Sequence, residues 1–158
     1  MRKLFFDELS RYMHLNSDIW FLTGDLGYSF VEDIQKAFPH RFINCGASEQ
    51  AMMDMAVGLA LKNQIPFVYS ITPFLLYRPF EAIRIYLNNE KIPVKLIGVG
   101  REREYQGLGF THWSLDDKSI MKRMKNIKSH WATKKNVRSL VRKAVNDNSP
   151  YYINLSKT

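Results

Sequence analysis

The sequence predicts an α/β domain: a doubly wound, mainly parallel six-stranded sheet with helices on both faces. Three observations predict it. Short apolar runs alternate with segments of helical periodicity, the pattern of strands joined by crossover helices. The runs are continuously apolar, as in strands buried on both faces. The 158 residues, 46% hydrophobic and 24% charged, suit one globular domain, 1–158, that buries a core without disulfides.

The elements follow in order. Residues 2–14 read as a helix with Leu4, Phe5, Leu9 and Tyr12 on one side. Residues 19–22 form an apolar run ending in Thr23-Gly24-Asp25, a strand entering a loop. Ser29 is placed to cap the next helix, which ends near Phe38-Pro39. Residues 41–44 are a second strand, and 48–61 a helix rich in Ala and Met. Residues 66–71 read as a strand, 79–87 as a helix, and 94–99 as a strand followed by a glycine-containing loop over 100–113. A weak strand at 127–131, a helix over 136–145 and a strand at 151–155 complete the chain. In such sheets ligands bind beyond the carboxyl ends of the strands. The loops after Leu22, Ile43, Ile71 and Val99 should therefore share one functional edge.

Composition narrows the setting. No apolar run approaches the roughly 20 residues of a membrane-spanning helix. The start, Met1-Arg2-Lys3-Leu4-Phe5-Phe6-Asp7-Glu8, lacks a secretory signal core. The lone Cys45 makes no internal disulfide, which fits a reducing cytoplasm. Net charge is +8, with ten Lys or Arg and no acid from Lys118 to Lys143. Such a stretch can meet nucleic acid, an anionic membrane or an acidic partner. Without the glycine and aromatic interleaving of nucleic-acid modules, it reads better as a solvated helix face and a subunit-facing surface.

The loop after the second strand is Asn44-Cys45-Gly46-Ala47-Ser48-Glu49-Gln50. Its small residues let backbone pass close to a ligand. Glu49 lies in the first turn of a helix, where an acid also simply complements the helix dipole.

The wider pattern goes further. Residues 41–50 (RFINCGASEQ), Gly58-Leu59-Ala60 and Pro66-Phe67-Val68-Tyr69-Ser70 resemble the transketolase family. So do Gly24-Asp25-Leu26; Phe74, Arg78, Phe80, Glu81 and Arg84; the stretch Pro93 to Gly100; and Gly109-Phe110-Thr111-His112. The resemblance covers nearly the whole chain in the right order and corresponds to the family's pyrimidine-binding domain. It implies thiamine diphosphate as cofactor, with Glu49 hydrogen-bonding the aminopyrimidine ring. A carboxyl bonded to the far ring nitrogen favours the imino tautomer, and the imino group then takes the proton from the reactive thiazolium carbon. An apolar pocket assists that proton sharing. The resemblance further implies that Phe74 packs on the ring, with Tyr77 and Arg78 as neighbours, and that His112 faces the substrate. The alternative for Phe74 and Tyr77 is core packing. Arg2, Ser29 and Lys157 match substrate-phosphate positions, although Lys157 lacks the bidentate grip of the family's arginine. Two departures put the substrate in question: Arg101-Glu102-Arg103-Glu104 replaces a glycine-rich run, and Leu108 stands where sugar-specific members carry an acid.

The family's diphosphate-binding signature, a G-D-G followed about 25–30 residues later by Asn that holds Mg²⁺ and phosphate, is not found in the sequence; Gly24-Asp25 runs into Leu26. No metal ligand is assigned to this chain. The family's third, C-terminal domain is likewise not found. The resemblance thus implies a split enzyme whose diphosphate-binding subunit carries Mg²⁺. The expected assembly is α₂β₂, with homodimer contacts within each type and the helices beginning at Ser48 and Pro79 buried at subunit contacts. The expected activity is ketol or acyl transfer on a small-molecule substrate. The alternatives are a decarboxylase subunit with the same cofactor, or a non-catalytic orphan domain that binds nucleic acid or protein through its basic stretch.

Overall fold

A computed structural model describes residues 1–157. Its order is α1 (Arg2–Leu15), β1 (Ile19–Thr23), α2 (Val31–Ala37), β2 (Phe42–Asn44), α3 (Glu49–Leu61), β3 (Ile65–Ile71), α4 (Thr72–Tyr77), α5 (Phe80–Ala82, continuing as a π-helical turn Ile83–Asn89), β4 (Lys95–Val99), α6 (Asp117–Arg123), β5 (Lys128–Trp131), α7 (Val137–Asn146) and β6 (Tyr151–Leu155). The strands form one six-stranded sheet in the order β2-β1-β3-β4-β6-β5. Every pairing is parallel, so the sheet is wholly rather than mainly parallel.

Successive strand residues point to opposite faces, and each face carries its own core. Phe21, Phe67, Ile97 and Ile153 pack against Phe5 and Leu9 of α1, Ile34 of α2 and Val141 of α7. Leu22, Val68 and Leu96 pack against Met52 and Ala56 of α3, Leu75 of α4, Ile83 and Met121. Burial of each large side chain contributes about 1.5–3 kcal/mol. The direction of winding reverses between β1 and β3, which opens a crevice at their carboxyl ends, the usual ligand position in such sheets.

Several expectations are corrected. Ser29 does not cap α2. It adopts φ 71°, and its backbone N–H donates to Glu32 Oε1 at 3.1 Å; the carboxylate reaches back where the hydroxyl was expected. Arg41 lies outside β2, in a 3₁₀ turn. Its guanidinium donates to the carbonyls of Met13, Asn16 and Ile19 and ties that turn to the end of α1. The helix expected from Pro79 is preceded by α4, and Pro79, lacking an N–H, separates the two. α6 occupies part of the chain to which no helix was assigned.

Candidate active site

Glu49 opens α3 in the crevice between β1 and β3 and is 2% exposed. Its surroundings are shaped for a carboxylate. Gly46, at φ 63°, turns the β2–α3 loop. Asn44 Oδ1 accepts the N–H groups of Asp25 at 2.9 Å and Gly46 at 3.1 Å, tying the loops after β1 and β2 together. Gly24 leaves room: a Cβ there would lie 3.3 Å from Glu49 Oε1 and 3.3 Å from the Gly46 carbonyl oxygen. Ser70 Oγ, from β3, donates to Glu49 Oε1 at 3.2 Å. Arg78 Nη1 donates to Oε2 at 2.5 Å. A buried carboxylate requires such partners.

α4 follows β3 without a loop. Thr72 Oγ1 lies 3.2 and 2.9 Å from the carbonyl oxygens of Val99 and Gly100, and Pro73 falls in the first turn, where its missing N–H is tolerated. The helix presents Phe74 and Tyr77 on the functional edge. The Arg78 guanidinium carbon lies 3.9 Å from the Phe74 ring centroid. His112 meets Phe74 edge-on, with centroids 4.8 Å apart, and its Nδ1 is 2.9 Å from Thr111 Oγ1. Glu49, Arg78, Phe74 and His112 thus form one continuous chain of contacts. Tyr77 donates its hydroxyl proton to Asp116. Beside this chain a cleft of about 640 Å³ is lined by Phe74, Tyr77, Arg78, Phe110, Trp113 and Leu115.

A second set of residues fixes these elements. Asp117, buried at the start of α6, accepts from Trp131 Nε1 at 2.8 Å, Tyr152 OH at 3.0 Å and Asn154 Nδ2 at 3.3 Å. Asn154 Nδ2 also lies 3.0 Å from Thr72 Oγ1. Burial, with the Asp117 carboxylate alongside, holds the Tyr152 hydroxyl well above its ordinary value. The charged run after β4 is pinned rather than projecting. Arg101 donates to Asn154 Oδ1 at 2.8 Å and to the carbonyls of Asn154 and Ala132. Glu104 accepts the N–H groups of Arg101 at 3.0 Å and Lys157 at 2.7 Å, and the Ser156 hydroxyl. Burial pushes its carboxyl up, but these bonds, led by the Lys157 N–H, outweigh burial and hold it below the usual carboxylate range.

The residues matched to substrate phosphate are only partly gathered. Arg2 Nε donates to the Lys157 carbonyl at 3.1 Å. The Arg2 guanidinium stacks on Phe30, and Lys157 Nζ lies 4.8 Å from the Tyr105 ring centroid. Ser29 lines a different cleft, between α1 and α2, with Lys3, Ser10 and Asp33. The basic stretch is divided. Met121 and Met124, amid Lys118, Lys122, Arg123 and Lys125, join the core of one sheet face. Val137 and Val141, amid Arg138, Arg142 and Lys143, join the other. Sequence reasoning quoted Gly24 and Ser70 as part of the resemblance but gave them no site role, and it missed Asp117 and Asn154. The available signal for Ser70 and Asn154 was a polar residue inside an otherwise apolar strand.

No helix among the described residues is long and apolar enough to cross a membrane. Nor do these residues include three or more His, Cys, Asp or Glu grouped to hold a metal ion.

Fold and site together define a domain that offers a buried carboxylate, an aromatic platform and a histidine at the carboxyl edge of a parallel sheet. The family described as transketolase, pyrimidine binding domain, matches residues 1–158, and the chain belongs to it. It is 33% identical over 121 residues to an apulose-4-phosphate transketolase subunit of Actinobacillus succinogenes, across 76% of this chain and 39% of that protein. It is 31% identical over 123 residues to the 6-deoxy-6-sulfo-D-fructose transketolase subunit SqwH of Clostridium sp. (strain MSTE9), across 77% and 38%. A solved split-gene transketolase, described as an inactive beta4 tetramer, has a TM-score of 0.86 at 30% identity, covering 99% of this chain and 51% of that one. The chain spans 39% of the length of the first curated relatives it matches.

Proposed function

We propose that this chain supplies the pyrimidine-binding half of a thiamine-diphosphate site in a split transketolase-like enzyme, and that a diphosphate-binding subunit carrying Mg²⁺ completes it. The supporting observation is the Glu49 carboxylate, buried at the crevice with one oxygen on Ser70 and the other turned to a planar N–H donor stacked on Phe74. An aminopyrimidine has the same requirements: a flat face to stack and a ring nitrogen that shares a proton with an acid.

When bound, thiamine diphosphate supplies a carbon acid whose conjugate base adds to a substrate carbonyl. The residues of this chain do the rest. Glu49 holds the proton at the far ring nitrogen. Ser70 fixes the carboxylate oxygen that does not meet the ring, and Phe74 carries the ring face. Tyr77, oriented by Asp116, walls the cleft together with Phe110, Trp113 and Leu115. His112, braced by Phe74 and Thr111, is the group of this chain that meets the substrate. Arg2 and Lys157 lie farther along the same edge, where an anionic substrate group would reach them. The basic stretch that the orphan-domain alternative would use runs over two helices whose buried residues join opposite faces of the sheet, which supports the enzyme-subunit reading.

The test is co-purification from the native source, followed by reconstitution. The chain mixed with its diphosphate-binding partner should bind cofactor tightly and turn over, while the chain alone should bind it poorly and show no turnover. Glu49→Ala should abolish turnover with assembly intact. Full turnover by the purified chain alone would overturn the split-site reading.

A further inference from the structure

The two contacts that an aminopyrimidine would make are already made by Arg78. Its guanidinium is planar, cationic and rich in N–H donors, and such groups both stack on aromatic rings and bond carboxylates. Here it does both at once: Nη1 is 2.5 Å from Glu49 Oε2, and the guanidinium carbon is 3.9 Å from the Phe74 centroid. The Glu49 side chain is 1% exposed while that of Arg78 is 44% exposed. The carboxylate is therefore fixed and buried, and its partner is the movable, solvent-facing member. Arg78 lies at the end of α4, just before Pro79, and its side chain can swing outward without disturbing a helix.

We infer that Arg78 is an internal occupant of the pyrimidine subsite, which satisfies Glu49 in the empty domain and must swing out before the cofactor ring can enter. This inference rests on the reading of Glu49 as the ring's partner and adds to it a determinant of affinity. It reverses the role that the sequence resemblance implies for Arg78: the residue competes with the cofactor rather than holding it. The occupant serves the empty state, because a carboxylate buried without a partner is costly. Its consequence is weaker apparent ring binding, reduced by the fraction of chains in which Arg78 has swung out. If that fraction is about one in ten, removing the side chain tightens binding about tenfold.

The experiment uses the full chain and the ring alone, 4-amino-5-hydroxymethyl-2-methylpyrimidine, titrated by NMR. Arg78→Ala should bind the ring about tenfold more tightly than the wild type, and Arg78→Gln, which keeps a planar amide without the charge, should fall between them. Glu49→Gln should lose binding in either background. Thermal unfolding of each variant identifies any that is misfolded, and the two Arg78 substitutions keep the comparison possible if one of them is. Equal or weaker binding by Arg78→Ala, with binding still lost in Glu49→Gln, overturns the competing role of Arg78 and leaves the proposed function standing. No binding by any folded variant overturns both.

Discussion

Replacing Gly24 by alanine crowds the Glu49 carboxylate without removing any group that would contact the cofactor. The new Cβ would lie 3.3 Å from Glu49 Oε1 and 3.3 Å from the Gly46 carbonyl oxygen. Neither oxygen yields freely: the first is held by Ser70 and the second accepts the Ser48 N–H at 2.8 Å. Gly24 is not among the residues with positive φ, so the effect is crowding rather than backbone strain. Overpacking of this kind costs about 1–3 kcal/mol. If the carboxylate shifts to relieve it, ring affinity falls by about 5–150-fold, at 1.4 kcal/mol per decade. Gly58, on α3, is the control, because a Cβ there meets nothing within 4 Å. Alanine is preferred over glycine in a helix, so Gly58→Ala should stabilise the fold by about 0.4–1 kcal/mol and leave ring binding unchanged. Urea unfolding and ring titration on both variants provide the assay. Wild-type stability together with wild-type ring affinity in Gly24→Ala would refute the packing argument.

Two further outcomes are expected. Asp117→Ala strands the donors of Trp131 and Tyr152, whereas Asn154 Nδ2 keeps Thr72 Oγ1, with a cost of about 1–3 kcal/mol for each stranded donor; calorimetry should show Tm lowered by about 2–12 °C per stranded donor, at 2–4 °C per kcal/mol, and a fall of under about 2 °C would contradict the network. Lys95 is 1% exposed and donates to the carbonyls of Asp147 and Ser149, and burial lowers its amine to about 8. Between that value and the ordinary lysine value of about 10.4, the unfolded chain binds more protons than the folded one. Stability therefore rises with pH in this window, by at most about 1.4 kcal/mol per unit. Urea titrations from about pH 8 to 9 should show a steeper rise in the wild type than in Lys95→Met; above about pH 9 the buried tyrosines, held protonated in the fold while the unfolded phenols ionise, pull stability down.

Much of this molecule is legible in its sequence, for physical reasons. β6 is bounded as expected because Tyr151–Leu155 is a short apolar run between a proline and polar residues. α4 was hidden because it follows β3 directly, and Thr72-Pro73 looks like a strand ending rather than a helix beginning. α6 was hidden among the cations, with Met121 the one buried apolar side chain between Asp117 and Arg123. Ser29 misled because side-chain chemistry favours it as a cap while its backbone takes a left-handed turn. At the site, Glu49, Phe74 and His112 lie in recognisable local patterns, and the fold brings them together. The pairing of Arg78 with Glu49 joins residues 29 positions apart, and the use of Arg101 and Glu104 to pin their own loop depends on β6. Such long-range contacts leave no local periodicity to read.

The central claim is that the Glu49 carboxylate assists proton loss from the cofactor. The most direct measurement is hydrogen–deuterium exchange at the reactive carbon of thiamine diphosphate in the assembled complex, followed by NMR after an acid quench. Exchange in the wild-type complex should be fast, and Glu49→Gln should slow it by about 10²–10⁴-fold, the range of general acid–base assistance. Wild-type exchange in a fully loaded Glu49→Gln complex would contradict the claim.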